Sequence, residues 1–407
     1  MLGVGNGTFR SPIQSWISGD VLGAGDFNAD KKSDLVVVTR PDNQVLVLQG
    51  KGDGTFIAAY PVAQPAGAQS STTQSTSARS SVVPSSATPA SGTTTTAASG
   101  TPTSGTPASS AQQTSARSTT AQSGAAQATP AESNGAFPTV AVPNVTFALP
   151  DDIDGDGKID LVVGVDSGTS AVYPGQGNFT FGPAVELVTG TAPNDGVVAD
   201  VNGDGKKDLV VANRTAHSIS IFLNQGGLLF TATDMPLDRA ANDVAAADLN
   251  RDGKVDLVVA AAGGGDGETQ FTDGFVYVLL GRGDGTFAQP VQYEVPPGPW
   301  QIVVGDFTRD GVLDVATANR SSSVVQAAAA GSNDSDTVSI LAGNTDATFG
   351  AASSIALGDP AVRSLTTTDV NGDQMPDLVV SSGALLVSRP ANGTTQATSA
   401  TPRTQGP

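Results

Sequence analysis

Six short segments of the chain place oxygen-bearing side chains at the first, third, fifth and ninth positions of a nine-residue stretch. They are Asp26, Asn28, Asp30 and Asp34; Asp152, Asp154, Asp156 and Asp160; Asp200, Asn202, Asp204 and Asp208; Asp248, Asn250, Asp252 and Asp256; Asp306, Thr308, Asp310 and Asp314; and Asp369, Asn371, Asp373 and Asp377. Short polar side chains at alternate positions of a tight loop converge on one point. Gly157, Gly205 and Gly253 occupy the sixth position, where the chain must turn sharply. The chemistry this pattern suits is a hard cation, and calcium, with about six to eight oxygens in relaxed geometry, suits it better than magnesium.

The charge points the same way. The six loops hold 19 of the 39 Asp and Glu, and 35 of those 39 are Asp. Three or four like charges within one loop cost several kcal/mol unless a cation neutralises them. Six divalent ions would bring the formal net charge from -19 to -7. The competing reading is that each loop is an Asp-Gly hairpin turn bonded to itself. Six copies in register favour the metal. Thr308 replaces an acid or amide in loop five, and Lys31 and Gln374 stand where loops one and six would carry Gly, so weaker binding is expected at those last two. Nothing nearby suggests an activated water, and the metal is read as structural.

Other chemistries are excluded or weakened by composition. With no Cys and one His, His217, there is no thiolate, disulfide framework or Cys/His zinc site. A net charge of -19 argues against a nucleic acid partner, which normally meets a basic footprint. No apolar run approaches the roughly 18 to 20 residues of a membrane-spanning helix. The opening MLGVGNGTFRSP lacks a signal peptide's basic start and apolar stretch; the expectation is an exported protein whose leader lay upstream. No G-x-S-x-G elbow or phosphate-binding loop occurs. Arg282, Gly283 and Asp284 spell RGD, but Lys51, Gly52 and Asp53 repeat the turn as KGD, so the triplet reads as part of the turn.

The acidic loops recur at steps of 126, 48, 48, 58 and 63 residues, and a unit near 48 is the length of a four-stranded propeller blade. In one unit Asn242 to Leu249, Leu257 to Ala261, Phe275 to Leu280 and Ala288 to Val295 read as its four strands. A turn between strands three and four recurs as GKGDGTF, GQGNFTF, GRGDGTF and GNTDATF, its closing Phe expected between sheets. Residues 65–136 are rich in Ser, Thr, Ala and Pro, with no aromatic residue, and are expected to be a disordered insertion, as is the tail 391–407. Removing the insertion returns the 126-residue step to the common period. Residues 1–64 and 137–390 then form the propeller. The last unit ends at GALLVSRP, three strands long, and Phe9 to Ser18 could supply its fourth. Six blades result, or seven if the chain is a fragment.

The loops differ from an EF-hand, since strand-like LVV follows position nine and no bidentate Glu stands at position twelve. They resemble the FG-GAP or VCBS repeat, seen in integrin alpha-chain propellers and in many bacterial surface proteins. The resemblance covers about 320 residues, all but the insertion and tail. It implies an all-β propeller of four-stranded blades, with Ca2+ held by the loop oxygens at the positions named above.

Up-and-down blades put the Asp loops and the recurring turns on one face. Length variation falls on the other, which favours that face for a ligand. Trp300 is the contact candidate there, with blade packing as its alternative role. The leading expectation is a non-catalytic, calcium-binding extracellular binding or adhesion module, secreted or on a cell surface, whose partner is a protein or a carbohydrate. A lectin-like propeller is one alternative, weakened by an aromatic content of 5%. Another is a propeller enzyme such as a polysaccharide lyase or hydrolase, which would need a cluster of Asp, Arg or Tyr at the centre. A third is a purely structural segment of a larger repetitive protein.

Overall fold

The computed structural model describes residues 19–39, 43–53, 55–62, 144–264, 271–320, 336–357, 364–369, 376–380, 384–386 and 398–399. Residues 1–69 with 139–407 form one compact unit and residues 70–138 a second. The second unit, and with it nearly all of the proposed insertion, lies outside the described residues, as does Phe9 to Ser18.

No helix occurs among the described residues, and six four-stranded antiparallel sheets follow one another along the chain as propeller blades. Blade 1 is built from Gly19–Gly25, Asp34–Thr39, Val45–Gly50 and Phe56–Pro61. Blade 2 comprises Val145–Asp151, Asp160–Val165, Thr169–Tyr173 and Val185–Val188. Blade 3 comprises Pro193–Ala199, Asp208–Asn213, Ser218–Asn224 and Phe230–Pro236. Ala240–Ala247, Asp256–Gly264, Phe271–Leu279 and Val291–Glu294 make blade 4. Pro299–Gly305, Asp314–Asn319, Thr337–Leu341 and Ser353–Ala356 make blade 5. Blade 6 has Leu365–Thr368, Asp377–Val380 and Ala384–Leu386, and its fourth strand is Thr398–Ser399.

That last pairing corrects the expectation that no fourth strand follows GALLVSRP: Ala384 pairs with Ser399 and Leu385 with Thr398. An unpaired third strand exposes a row of backbone donors and acceptors, which the tail supplies with partners.

First strands of successive blades lie side by side from blade 1 through blade 6, so they are the inner strands. Second strands carry the LVV runs and are buried from end to end in blades 2, 3 and 5. A strand covered on both faces has no polar side to keep, which is why these runs do not alternate. Fourth strands are mostly exposed, as in the outer strands of blades 3, 4 and 5. The closing Phe287 and Phe349 of the recurring turns are buried, while Phe56 and Phe181 are half-buried. In blade 2 the turn gains Phe179, which stacks on Tyr60 of blade 1 with ring centroids 4.2 Å apart.

Candidate functional site

Each acidic loop joins the first and second strands of a blade, and its four marked positions do different work. The first-position carboxylate accepts the amides that close the turn. Asp152 takes the amides of Gly155 and Gly157, both at 2.9 Å. Asp200 takes those of Gly203, Asp204 and Gly205, Asp248 those of Asp252 and Gly253, and Asp306 those of Asp310 and Gly311. Third-position oxygens accept the fifth residue's amide at Asn28, Asp154, Asn202 and Asn250. The fifth-position carboxylate accepts the seventh residue's amide and, in loops one to four, meets the ammonium of Lys32, Lys158, Lys206 or Lys254. Those lysine and amide contacts hold Asp156 and Asp204 below the ordinary carboxylate range.

The ninth position is a clasp. Asp34, Asp160, Asp208, Asp256 and Asp314 are 0% exposed. Asp256 Oδ2 accepts the Leu249 amide at 3.0 Å and Oδ1 the Gly281 amide at 2.8 Å. The same two-sided bond ties Asp34 to Phe27 and Gly50, Asp160 to Ile153 and Gly175, and Asp208 to Val201 and Asn224. Asp314 bonds the amides of Thr308 and Gly343. Burial raises the pKa of each of these five carboxyls even against those amides. The clasp also shows that the Asp loops and the recurring turns share a face.

Among the described residues, the one convergence of three acidic side chains is Asp152, Asp154 and Asp156, whose oxygens lie within 4.8 Å of one another. Loops one, three and four repeat the arrangement with an Asn at position three, and loop five with Thr308, whose hydroxyl is 3.5 Å from Asp314. Loop one keeps the shape at a cost: Ala29 and Lys31 adopt φ of 59° and 65°, where loop two has Gly155 and Gly157. In loop six, Asp377 is buried and Asp369 is exposed, while Asn371, Asp373 and Gln374 lie outside the described residues. The donor set fits a hard divalent ion: carboxylate and amide oxygens only, clustered, on an exposed loop.

Opposite the loops, the inner strands carry a second constellation. Each of five inner strands has a bulge near its start, at Leu22, Thr146, Asn194, Asn242 and Trp300. A bulge re-aims the side chains beside it. Asn194 Nδ2 donates to the Asn242 carbonyl at 2.6 Å, and Asn242 Nδ2 to the Pro299 carbonyl at 2.7 Å, stitching blade 3 to 4 and 4 to 5. Asp243 accepts the Ile302 amide, and Gln301 accepts the Leu365 amide of blade 6. Asp195 of blade 3 meets the Gln301 side chain of blade 5 and lies beside Asp243. Burial pushes Asp195 up to about 6. Burial and the neighbouring Asp195 raise Asp243 well above the carboxylate range.

Trp300 is half-buried at this end, with the guanidinium carbons of Arg320 at 4.2 Å and Arg214 at 5.2 Å from its ring centroid and Phe271 edge-on at 6.5 Å. Its ring therefore packs against two arginines from different blades. The sequence points to Trp300 but not to its companions, although it carries two signals for them. The pair Asn-Asp recurs at 194–195 and 242–243 at one offset before the loop, and Arg40, Arg214 and Arg320 recur at one offset after the ninth-position Asp. Arg40 lies outside the described residues. Arg282 of the RGD triplet folds back onto its own turn, donating to the Phe287 carbonyl at 2.6 Å.

Family profiles match the FG-GAP-like repeat at residues 152–211, 200–259 and 261–317 and the FG-GAP repeat at 240–279. No curated protein matches the chain significantly. Among solved structures, the chain is similar to an Agrocybe aegerita lectin described in its recognition of non-reducing terminal N-acetylglucosamine, with TM-score 0.51 and 17% identity over 94% of this chain and 81% of that one. It is similar also to BBS1N, solved in complex with ARL6DN and soaked with lead, with TM-score 0.50 and 13% identity over 93% of this chain and 82% of the other.

Proposed function

From the FG-GAP-type repeats matched over residues 152–317, we propose that the chain is a non-catalytic, calcium-binding extracellular binding module whose ligand meets the face opposite the Asp loops. The observation that carries the calcium reading is the convergence of Asp152, Asp154 and Asp156 within 4.8 Å. There the ion would be held by the first-, third- and fifth-position oxygens, and its charge would offset the repulsion among them. The ninth-position clasp would couple that gain to blade folding, since it joins the loop to the neighbouring turn.

The non-catalytic reading is supported by how the inner-strand carboxylates are used. Asp243 accepts the amides of Val244 and Ile302, and Asp195 accepts the Gly196 amide and meets Gln301. Their bonds serve the fold. A carbohydrate or a protein could be that ligand: the chain is similar in fold both to a lectin that recognises N-acetylglucosamine and, about equally, to BBS1N in complex with ARL6DN.

Thermal melting with millimolar calcium, with magnesium and with EDTA tests the metal. Calcium is expected to raise the melting temperature by several degrees, because a ligand that binds the native state alone stabilises it. Asp154→Ala should remove part of that gain and leave the EDTA melting curve nearly unchanged. Identical curves in calcium and EDTA would end the calcium reading.

A further inference from the structure

Three inner-strand side chains of blades 3 and 4 converge on one stretch of the first strand of blade 5. Asn242 Nδ2 donates to the Pro299 carbonyl at 2.7 Å and Asp243 Oδ2 accepts the Ile302 amide at 2.9 Å, so both side chains lie in the gap between blades 4 and 5. Asp195, from blade 3, meets the side chain of Gln301 in the same stretch. Gln301 Oε1 already accepts the Leu365 amide, which leaves its Nε2 as the group that faces Asp195. The bulges at Asn194 and Asn242 re-aim these side chains toward blade 5.

The charge of this cluster is unbalanced. Among the described residues no lysine or arginine pairs with Asp195 or Asp243. Their partners are the neutral amides of Gly196 and Gln301 for the one and of Val244 and Ile302 for the other. A carboxylate offers about four lone-pair directions, so each keeps acceptor capacity. Burial raises both carboxyls, and Asp195 raises Asp243 further. Asn242, from the same gap, is 0% exposed and its Oδ1 has no hydrogen-bond donor. A buried oxygen without a donor costs free energy, as do buried like charges without a counter-charge. One hard cation answers both.

We propose that Asp195, Asp243 and Asn242 Oδ1 bind a divalent metal ion, calcium or magnesium, that ties blades 3, 4 and 5 together at their inner strands. The site shares no residue with the Asp loops, stands at the other end of the strands, and is independent of the calcium reading there. Three protein oxygens do not fill a shell of about six or more, and the half-buried Asp195 and Gln301 let water complete it. A monovalent ion would leave one negative charge buried. Magnesium keeps several waters and takes one or two carboxylates, which makes it the competitor to calcium.

The test counts ions. The full chain is dialysed against calcium and magnesium together, and both metals are measured by elemental mass spectrometry. Asp195→Asn and Asp243→Asn are each expected to hold one ion fewer than the parent, and the element lost identifies the metal. Asp154→Ala, in loop two, should lose a different ion, so that its combination with Asp195→Asn loses both. The stability advantage of Asp195→Asn in EDTA should shrink when that metal is added. Crystals of the parent soaked in manganese give a reading that needs no variant: an anomalous peak is expected between Asp195 and Asp243. An unchanged ion count in well-folded Asp195→Asn, or manganese peaks confined to the Asp loops, would overturn the inference. If Asp154→Ala loses its ion while both inner-strand variants keep theirs, the inner site falls and the loop reading stands; loss at the inner strands alone does the reverse.

Discussion

The ninth-position Asp separates two roles that the nine-residue pattern presents as one. Positions one, three and five sit on exposed or half-buried loop, whereas Asp256 is sealed beneath it and bonds two backbone amides from different connections. Removing a buried acceptor leaves both donors without a partner, which costs more than the bond's net worth. Asp256→Ala is therefore expected to destabilise the protein by ~3 kcal/mol in EDTA, measured by urea denaturation. Asn250→Ala, on the loop's exposed side, should cost well under ~1 kcal/mol in EDTA and show its effect only when calcium is added. Equal losses for the two in EDTA would mean the clasp is no more than another loop ligand. The four marked positions were legible from sequence; their division was not, because periodic spacing says nothing of which side chain the following strand buries.

At the scale of elements, the Asp loop and the recurring turn are one unit. Gly50, Gly175, Gly281 and Gly343 each give an amide to the clasp, and a Cβ at these positions would stand 2.0 to 2.1 Å from the carbonyl oxygen of the residue before the clasp Asp. The approach of two backbones, and not a positive φ, is what demands glycine there. Blade 3 meets the demand differently: Asn224 takes the position in an altered turn, and its Nδ2 occupies the Lys207 carbonyl at 3.1 Å. Gly281→Ala is expected to cost roughly 1–3 kcal/mol through overpacking. Its urea midpoint should fall without a change in slope. The turn glycines were visible in sequence as turn residues, while the contact that fixes the first of them depends on the loop one blade strand away.

For the whole molecule, the inner strands matter most. Asn194, Asn242, Asp243 and Gln301 carry bonds from blade 3 to 4, 4 to 5 and 5 to 6. Asp195 sits where three blades meet, and its folded pKa of about 6 exceeds the unfolded carboxyl value of about 4. Between those values the folded state binds more protons than the unfolded one. Stability therefore falls as pH rises through that window, and the deficit is complete above it. Asp195→Asn removes the titration and should be more stable than the parent by ~2 kcal/mol at pH 7.5, with the difference vanishing near pH 4. Urea denaturation in EDTA at the two pH values reads this directly; a gain that is the same at both would show that charge is not its cause.

The sequence by itself determined the repeat, its four-strand unit and the six oxygen-rich loops, because each is a local pattern: turn chemistry, a fixed period and an apolar run bounded by Asp and Gly. Tertiary structure decided what those patterns serve. Burial makes one Asp in each of five loops a clasp, bulges bring Asn194, Asp195, Asn242 and Asp243 into a bridge between blades, and blades 3 and 5 deliver Arg214 and Arg320 to one indole. Residues more than a hundred positions apart meet there, and no local pattern records such a meeting until the inner strands lie side by side.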